Sequence, residues 1–146
     1  MSDAERLRKR KLQRLGARTY NRVIVFLLKH GLGLPPYSSK NALVMETVGR
    51  KSRKRRLIPM GYLRDAPNRL LVVAEHGHRA DWVRNALSAG SVRVGIGRAQ
   101  HRATIQVLDQ ADPEEVLERI GSEAHTKTIR RLGHDSRVVE IRLERP

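Results

Sequence analysis

Residues 3 to 30 contain no proline, and Tyr20, Val23, Ile24, Leu27 and Leu28 recur at the i, i+3, i+4 spacing of one helical face. The pattern predicts a helix that "HGLGLPP" ends through Gly31, Gly33 and Pro35. Its first half, "RLRKRKLQR", has little apolar periodicity, so residues 1–19 read as a basic helical arm. From Ala42 the period changes to short apolar or alternating runs broken by turn residues. These predict strands over 42–48, 56–63, 69–75, 91–96, 101–108 and 137–143. "RDAPN" and "GIGRAQ" read as hairpin connections. Pro59 has no N–H to give a ladder, so its strand is expected to be bulged or unpaired on one edge there. Two further helices are predicted, "HRADWVRNALSAG" and "DPEEVLERIGSEAHTKTIRRLG". The second has Asp112 as N-cap, Pro113 at the first helical position and Gly133 as C-cap. Many hairpins with few helices predict a mainly β fold, a small β-barrel with peripheral helices, in one domain spanning 1–146.

Charge narrows the partners. Thirty Lys and Arg against 15 Asp and Glu give a formal net charge of +15, which favours polyanions, acidic lipids or anionic small molecules. The absence of cysteine excludes disulfides, thiolate metal sites and cysteine nucleophiles. The longest apolar run, Val23 to Leu28, is far shorter than the roughly 20 residues needed to span a bilayer. A polar, proline-containing stretch follows it without a small-residue cleavage site, so the chain reads as cytoplasmic. A basic amphipathic first helix could also rest on the inner face of an anionic membrane.

Two stretches can carry chemistry. "GRKSRKRR" packs six Lys or Arg into the eight residues 49–56 between two strands. Gly49 permits a positive φ that would let N–H groups converge on an anion, Ser52 adds a hydroxyl, and Arg50, Arg55 and Arg56 can fork onto phosphate or carboxylate oxygens. Charge alone leaves a phosphate-bearing cofactor, a nucleic acid and a solvated basic turn equally open. In "VVAEHGHRADWVRNAL" a strand runs into Glu75, His76 and Gly77, and a helix then begins with Asp81 and Trp82, the single tryptophan. Such a helix start offers unpaired N–H groups, and Asp81, Trp82 and Arg84 offer charge and an aromatic plane to a flat ligand. The plainer alternative is that Trp82 caps the core while His76 and His78 are solvated. Those two histidines alone are weak support for zinc. No GxSxG elbow, Walker A motif or dinucleotide GxGxxG occurs, and "GIGR" lacks the later glycine. With 3% aromatics and no zinc-finger or RNP pattern, no sequence-specific nucleic-acid module is expected.

With both stretches in view, the chain resembles the deazaflavin-dependent nitroreductase family, split β-barrel oxidoreductases related to FMN-binding barrels. The resemblance rests on "ETVGRKSRKRRLIPMGYL" (46–63) and "VVAEHGHRADWVRNALSAGSVRV" (72–94), with "FLLKHGLGLPP" as the lead-in. It implies coenzyme F420, with FMN or a flat tetrapyrrole as alternatives. Arg50, Lys51 and Ser52 would hold its phosphate, with Arg56 close by. Ala74, Glu75, His76 and Gly77 would meet the ring system, and Trp82, next to Asp81, would close over it. The reaction implied is hydride transfer from the reduced deazaflavin to a quinone-like or nitroaromatic small-molecule acceptor. That reaction needs no side-chain nucleophile, and no catalytic residue is assigned. Arg53 stands where the family usually has Gly, Glu75 where Ser is common, and no Tyr follows Tyr62. The alternatives are a non-catalytic flavin-, deazaflavin- or tetrapyrrole-binding barrel and, behind it, a basic nucleic-acid-binding protein. Barrels of this kind often pair, which adds a homodimer to the expectations.

Overall fold

The computed structural model describes residues 2–30, 42–121, 127 and 135–144, and for 13–21 the backbone alone. Helix α1 (Asp3–Lys29) begins at a capping box. Ser2 Oγ accepts from the Glu5 N–H at 3.2 Å, and Glu5 Oε2 accepts from the Ser2 N–H at 2.9 Å. Asp3 and Glu5 sit at its positive end and Lys29 at its negative end, so the arm expected from the basic first half is continuous with the helix. Ile24, Val25 and Leu28 dock on Ala42, Val44 and Leu57, and form a small apolar cluster of their own.

The predicted barrel class is what the structure shows: seven strands, every pairing antiparallel, curled around one main core. They are β1 (Ala42–Val48), β2 (Arg55–Gly61), β3 (Leu63–Ala66), β4 (Arg69–Ala74), β5 (Val92–Ile96), β6 (Ala99–Leu108) and β7 (Arg137–Leu143). Their order is β2-β1-β5-β6-β7-β4-β3. Leu43 and Met45 of β1, Val94 of β5, Leu70 and Val72 of β4, and Val139 and Ile141 of β7 fill the concave side. Helix α2 (Asp81–Ala89) closes it with Val83 and Ala86 and stops at Gly90, whose φ is +82°. Helix α3 (Pro113–Ile120) covers a second cluster on the outer face, made by Leu71, Val73, Val116, Leu117 and Val138.

Two boundaries differ from expectation. The run 56–63 is two strands, because buried Tyr62 stays in the main core while Leu63 packs with the second cluster. The chain thus leaves β1 and joins β4 at the far side of the sheet. The last helix keeps its expected start, with Asp112 accepting from the Glu114 N–H at 3.0 Å, but α3 ends at Gly121. That glycine is left-handed (φ +74°) and its N–H bonds the Leu117 carbonyl at 3.2 Å, whereas the expected stop, Gly133, lies outside the described residues. Pro59 does fall on an edge: among the described residues β2 ends the sheet and pairs with β1 alone.

In the middle of β7, between β4 and β6, Glu140 is buried between Arg69 (Nε, 2.7 Å) and Arg142 (Nη2, 3.1 Å), and Arg69 also bonds Asp65. The Arg69 hydrogen bond, against the opposing effect of burial, holds the Glu140 carboxyl below the usual carboxylate range. No described helix is long and apolar enough to cross a membrane.

Because α1 is fastened by few apolar side chains, Ile24→Ala is expected to cost about 2–5 kcal/mol in chemical denaturation. A loss below about 1 kcal/mol would show that α1 docks by other means.

Candidate active site

The unpaired edge of β2 is where the site forms. A cleft of about 820 Å³ is bounded by Arg22, Phe26 and Lys29 of α1, by β2 from Arg55 to Gly61, and by Glu75, His76, Asp81, Trp82 and Asn85. Residues from both faces of β2 line it, so it wraps the strand's free edge. The side chains on α1 and β2 divide into cations (Arg22, Lys29, Arg55, Arg56) and apolar surface (Phe26, Ile58, Met60), with Trp82 opposite. This volume is in the ordinary range for a small-molecule or cofactor site.

The basic turn before β2 folds by its own hydrogen bonds. The Gly49 N–H bonds the Lys54 carbonyl at 2.9 Å, the Arg53 N–H bonds the Gly49 carbonyl at 2.8 Å, and Ser52 Oγ accepts from the Lys54 N–H at 3.3 Å. The positive φ expected at Gly49 falls instead on Arg53 (+59°). At Gly49 a Cβ would lie 2.3 Å from Ser52 Oγ, so a side chain there would turn the Ser52 hydroxyl out of its present position. Arg50 points away from the turn. Its N–H and Nη1 donate to Asn85 Oδ1 at 3.2 and 2.8 Å, and its guanidinium lies 3.5 Å from Asp81 Oδ1. The turn is thereby fastened to α2.

The loop after β4 is held from behind. Gly77 is buried with φ +53°, and a Cβ there would meet the Asp135 carbonyl oxygen at 2.5 Å. Ser136 Oγ donates to the Glu75 carbonyl at 3.2 Å, and His78 Nε2 donates to Asp109 Oδ1 at 2.5 Å, with Arg137 Nε 3.4 Å from the same oxygen. The His78 hydrogen bond, helped by the charges of His78 and Arg137, holds the Asp109 carboxyl below its usual range. Burial pushes the Glu75 carboxyl up, against a smaller opposing effect of the His76 charge.

Of the residues singled out from sequence, Arg56, Glu75, His76, Asp81 and Trp82 line the cleft together. Trp82 is half-buried and also packs against the main core, so it does both jobs considered for it. Arg50 stands behind the wall, bonded to Asn85; Lys51 and Ser52 are exposed on the turn away from the lining. Ala74 is buried in the core, and Gly77 positions the loop. Sequence reasoning missed Arg22, Phe26 and Lys29, although their spacing puts them on one helical face, and it missed Asn85, one turn after Asp81. Among the described residues no group of three or more His, Asp or Glu could hold a metal ion.

A family model described as F420H(2)-dependent quinone reductase matches residues 14–144. No curated protein matches the chain. Among solved structures, the chain is similar to the heme storage protein HutZ from Vibrio cholerae, at 14% identity over 73% of this chain and 83% of that one, with a TM-score of 0.51. It is similar to an F420-H2 dependent reductase, FDR-A, at 21% identity over 72% and 95% of the two chains, with a TM-score of 0.50. A third structure, described as a domain-swapped dimer, has 17% identity over 92% and 99%, with a TM-score of 0.50. At these identities the likeness is one of fold, the split barrel.

Folding raises the Glu75 carboxyl above its ordinary value, so the folded state holds that proton more tightly than the unfolded chain. Its contribution is present below the ordinary carboxylate pKa and lost as pH rises through the raised value. Glu75→Gln is therefore expected to raise the thermal midpoint relative to wild type at about pH 8, with the gain shrinking toward about pH 4. A gain that does not vary with pH would refute a burial-shifted Glu75.

Proposed function

The chain belongs to the F420H(2)-dependent quinone reductase family and is an F420-dependent oxidoreductase; we propose that the cleft along β2 binds reduced F420 and opens onto a quinone-like acceptor. The observation that carries this reading is the joining of a cationic wall and an apolar, aromatic-lined surface in one cleft. The donor set fits the cofactor: a flat deazaflavin needs the apolar faces, and its phosphate and acidic tail need the cations. Arg56, at the start of β2, is proposed to hold the phosphate, with Arg55, Lys29 and Arg22 facing the acidic tail. Phe26, Met60 and Trp82 would meet the ring. Arg50 serves by fixing α2 through Asn85, and Ser52 by shaping the turn.

When bound, F420H2 supplies a hydride. The protein's share is to orient the reacting faces and exclude water between them, which alone accounts for much of the acceleration in such transfers. Glu75 is compatible with an electron-rich ring nearby because burial favours its neutral form. A nitroaromatic acceptor would use the same open face. The first half of α1 exposes Leu7 and Leu12 among Arg6, Arg8, Lys9, Arg10 and Lys11. This supports a peripheral seat on an anionic membrane surface, where a lipophilic quinone is found. Pairing as a homodimer completes the proposal, on the analogy of the domain-swapped relative.

Titration with F420 tests the reading. Saturable binding with quenching of Trp82 emission is expected, and Arg56→Ala should weaken binding by about 1–3 kcal/mol, the range for one charge-assisted hydrogen bond. Absence of saturable binding, or an unchanged dissociation constant in Arg56→Ala, would count against it.

A further inference from the structure

A second, smaller cavity of about 130 Å³ lies beside the cleft on the outer face of β1, β5 and β6. Lys29, Arg55 and Leu57 border both cavities, so the two are neighbours across a shared rim. Beyond that rim the smaller one is lined by Glu46, Arg93 and Gln100. Strand register places these side chains: Glu46 stands across the ladder from Arg93, and Gly95 across from Gln100. Gly95 leaves the floor open, since a Cβ there would lie 2.8 Å from Gln100 Nε2. The Gln100 amide therefore lies over the strand as part of the cavity.

The charge of this cavity is unbalanced. Its one carboxylate, Glu46, is already bonded to Arg55 at 2.8 Å. Among the described residues neither Lys29 nor Arg93 has an acidic partner within salt-bridge distance. Arg93 instead faces Arg102 across the next ladder, and Arg102 leans to Glu144 at 3.6 Å. Among the described residues, then, two cations without an acidic partner and an amide surround a space large enough for a hydrated carboxylate. From Arg56 over Lys29 and Arg55 to Arg93, positive groups follow one another from one cavity into the next. A single phosphate would satisfy only one such position, whereas a chain of carboxylates would engage them in turn.

We propose that the cavity lined by Lys29, Arg55, Arg93 and Gln100 is a carboxylate subsite that takes the distal part of the cofactor's oligoglutamate tail. The inference rests on the assignment of F420 to the neighbouring cleft. It makes tail length a determinant of affinity and gives a role to Arg93 and Gln100, which lie outside the cleft itself.

The test is titration, by deazaflavin fluorescence, of wild type and of Arg93→Glu and Gln100→Leu with F420 carrying a short and a long oligoglutamate tail. Arg93 is exposed, and affinity for the short-tailed form serves as the control for folding. Wild type is expected to bind the long-tailed form roughly two- to fivefold more tightly, as befits exposed charge pairs. Arg93→Glu should abolish or invert that preference, Gln100→Leu should reduce it, and both should leave short-tail affinity unchanged. Equal affinities in wild type, or a preference that survives Arg93→Glu, overturns the subsite alone. Failure of wild type to bind either form overturns the cofactor assignment and the subsite with it.

Discussion

The organisation of this molecule depends on a sheet edge that is left unpaired. An edge strand presents backbone groups and side chains that must be covered, solvated or used. Here the edge is β2, its nitrogen at Pro59 has no hydrogen to offer, and α1 stands beside it rather than another strand. Tyr62 then carries the chain off that edge, so that β3 grows on β4 at the opposite side of the sheet. The gap this leaves is the cleft. A fully closed barrel would have spent the free edge of β2 on pairing with another strand.

The second constraint is the management of positive charge. Arg50 is paired with Asp81 and hydrogen-bonded to Asn85, Arg55 is paired with Glu46, and Arg69 and Arg142 with Glu140. These pairs serve structure: they fasten the basic turn to α2, β2 to β1 and β4 to β7. Arg22, Lys29 and Arg56 border the cleft, and Arg55 does so as well while bonded to Glu46. Proximity in sequence is thus a poor guide to role, because neighbours in "GRKSRKRR" face different elements.

Much of the fold was legible because strands and hairpins leave local signatures. Alternation located six of the strands, and turn residues located the hairpins and the start of α3. The split at Tyr62 was not legible, since "RLIPMGYL" is continuously strand-like and the break arises from two separate cores competing for adjacent residues. In the site, the strand-end loop and Trp82 could be read from a helix start following a glycine turn. Arg50 was misleading because charge density says nothing of direction, and its partner Asn85 lies 35 positions away. The α1 wall was missed for a different reason: Arg22, Phe26 and Lys29 sit on the flank of an amphipathic helix whose apolar stripe drew the reading.

The manner in which α1 is attached also bears on how the protein opens. Its anchor is a small cluster separate from the main core, so the helix can detach at a free-energy cost well below that of unfolding the barrel. One wall of the cleft is therefore a low-stability cooperative unit, while the other is carried by the sheet and α2. A ligand touching both would join the two units into one. Amide protection in α1 would then report whether the cleft is filled, while protection in β4 and β7 would report only global stability.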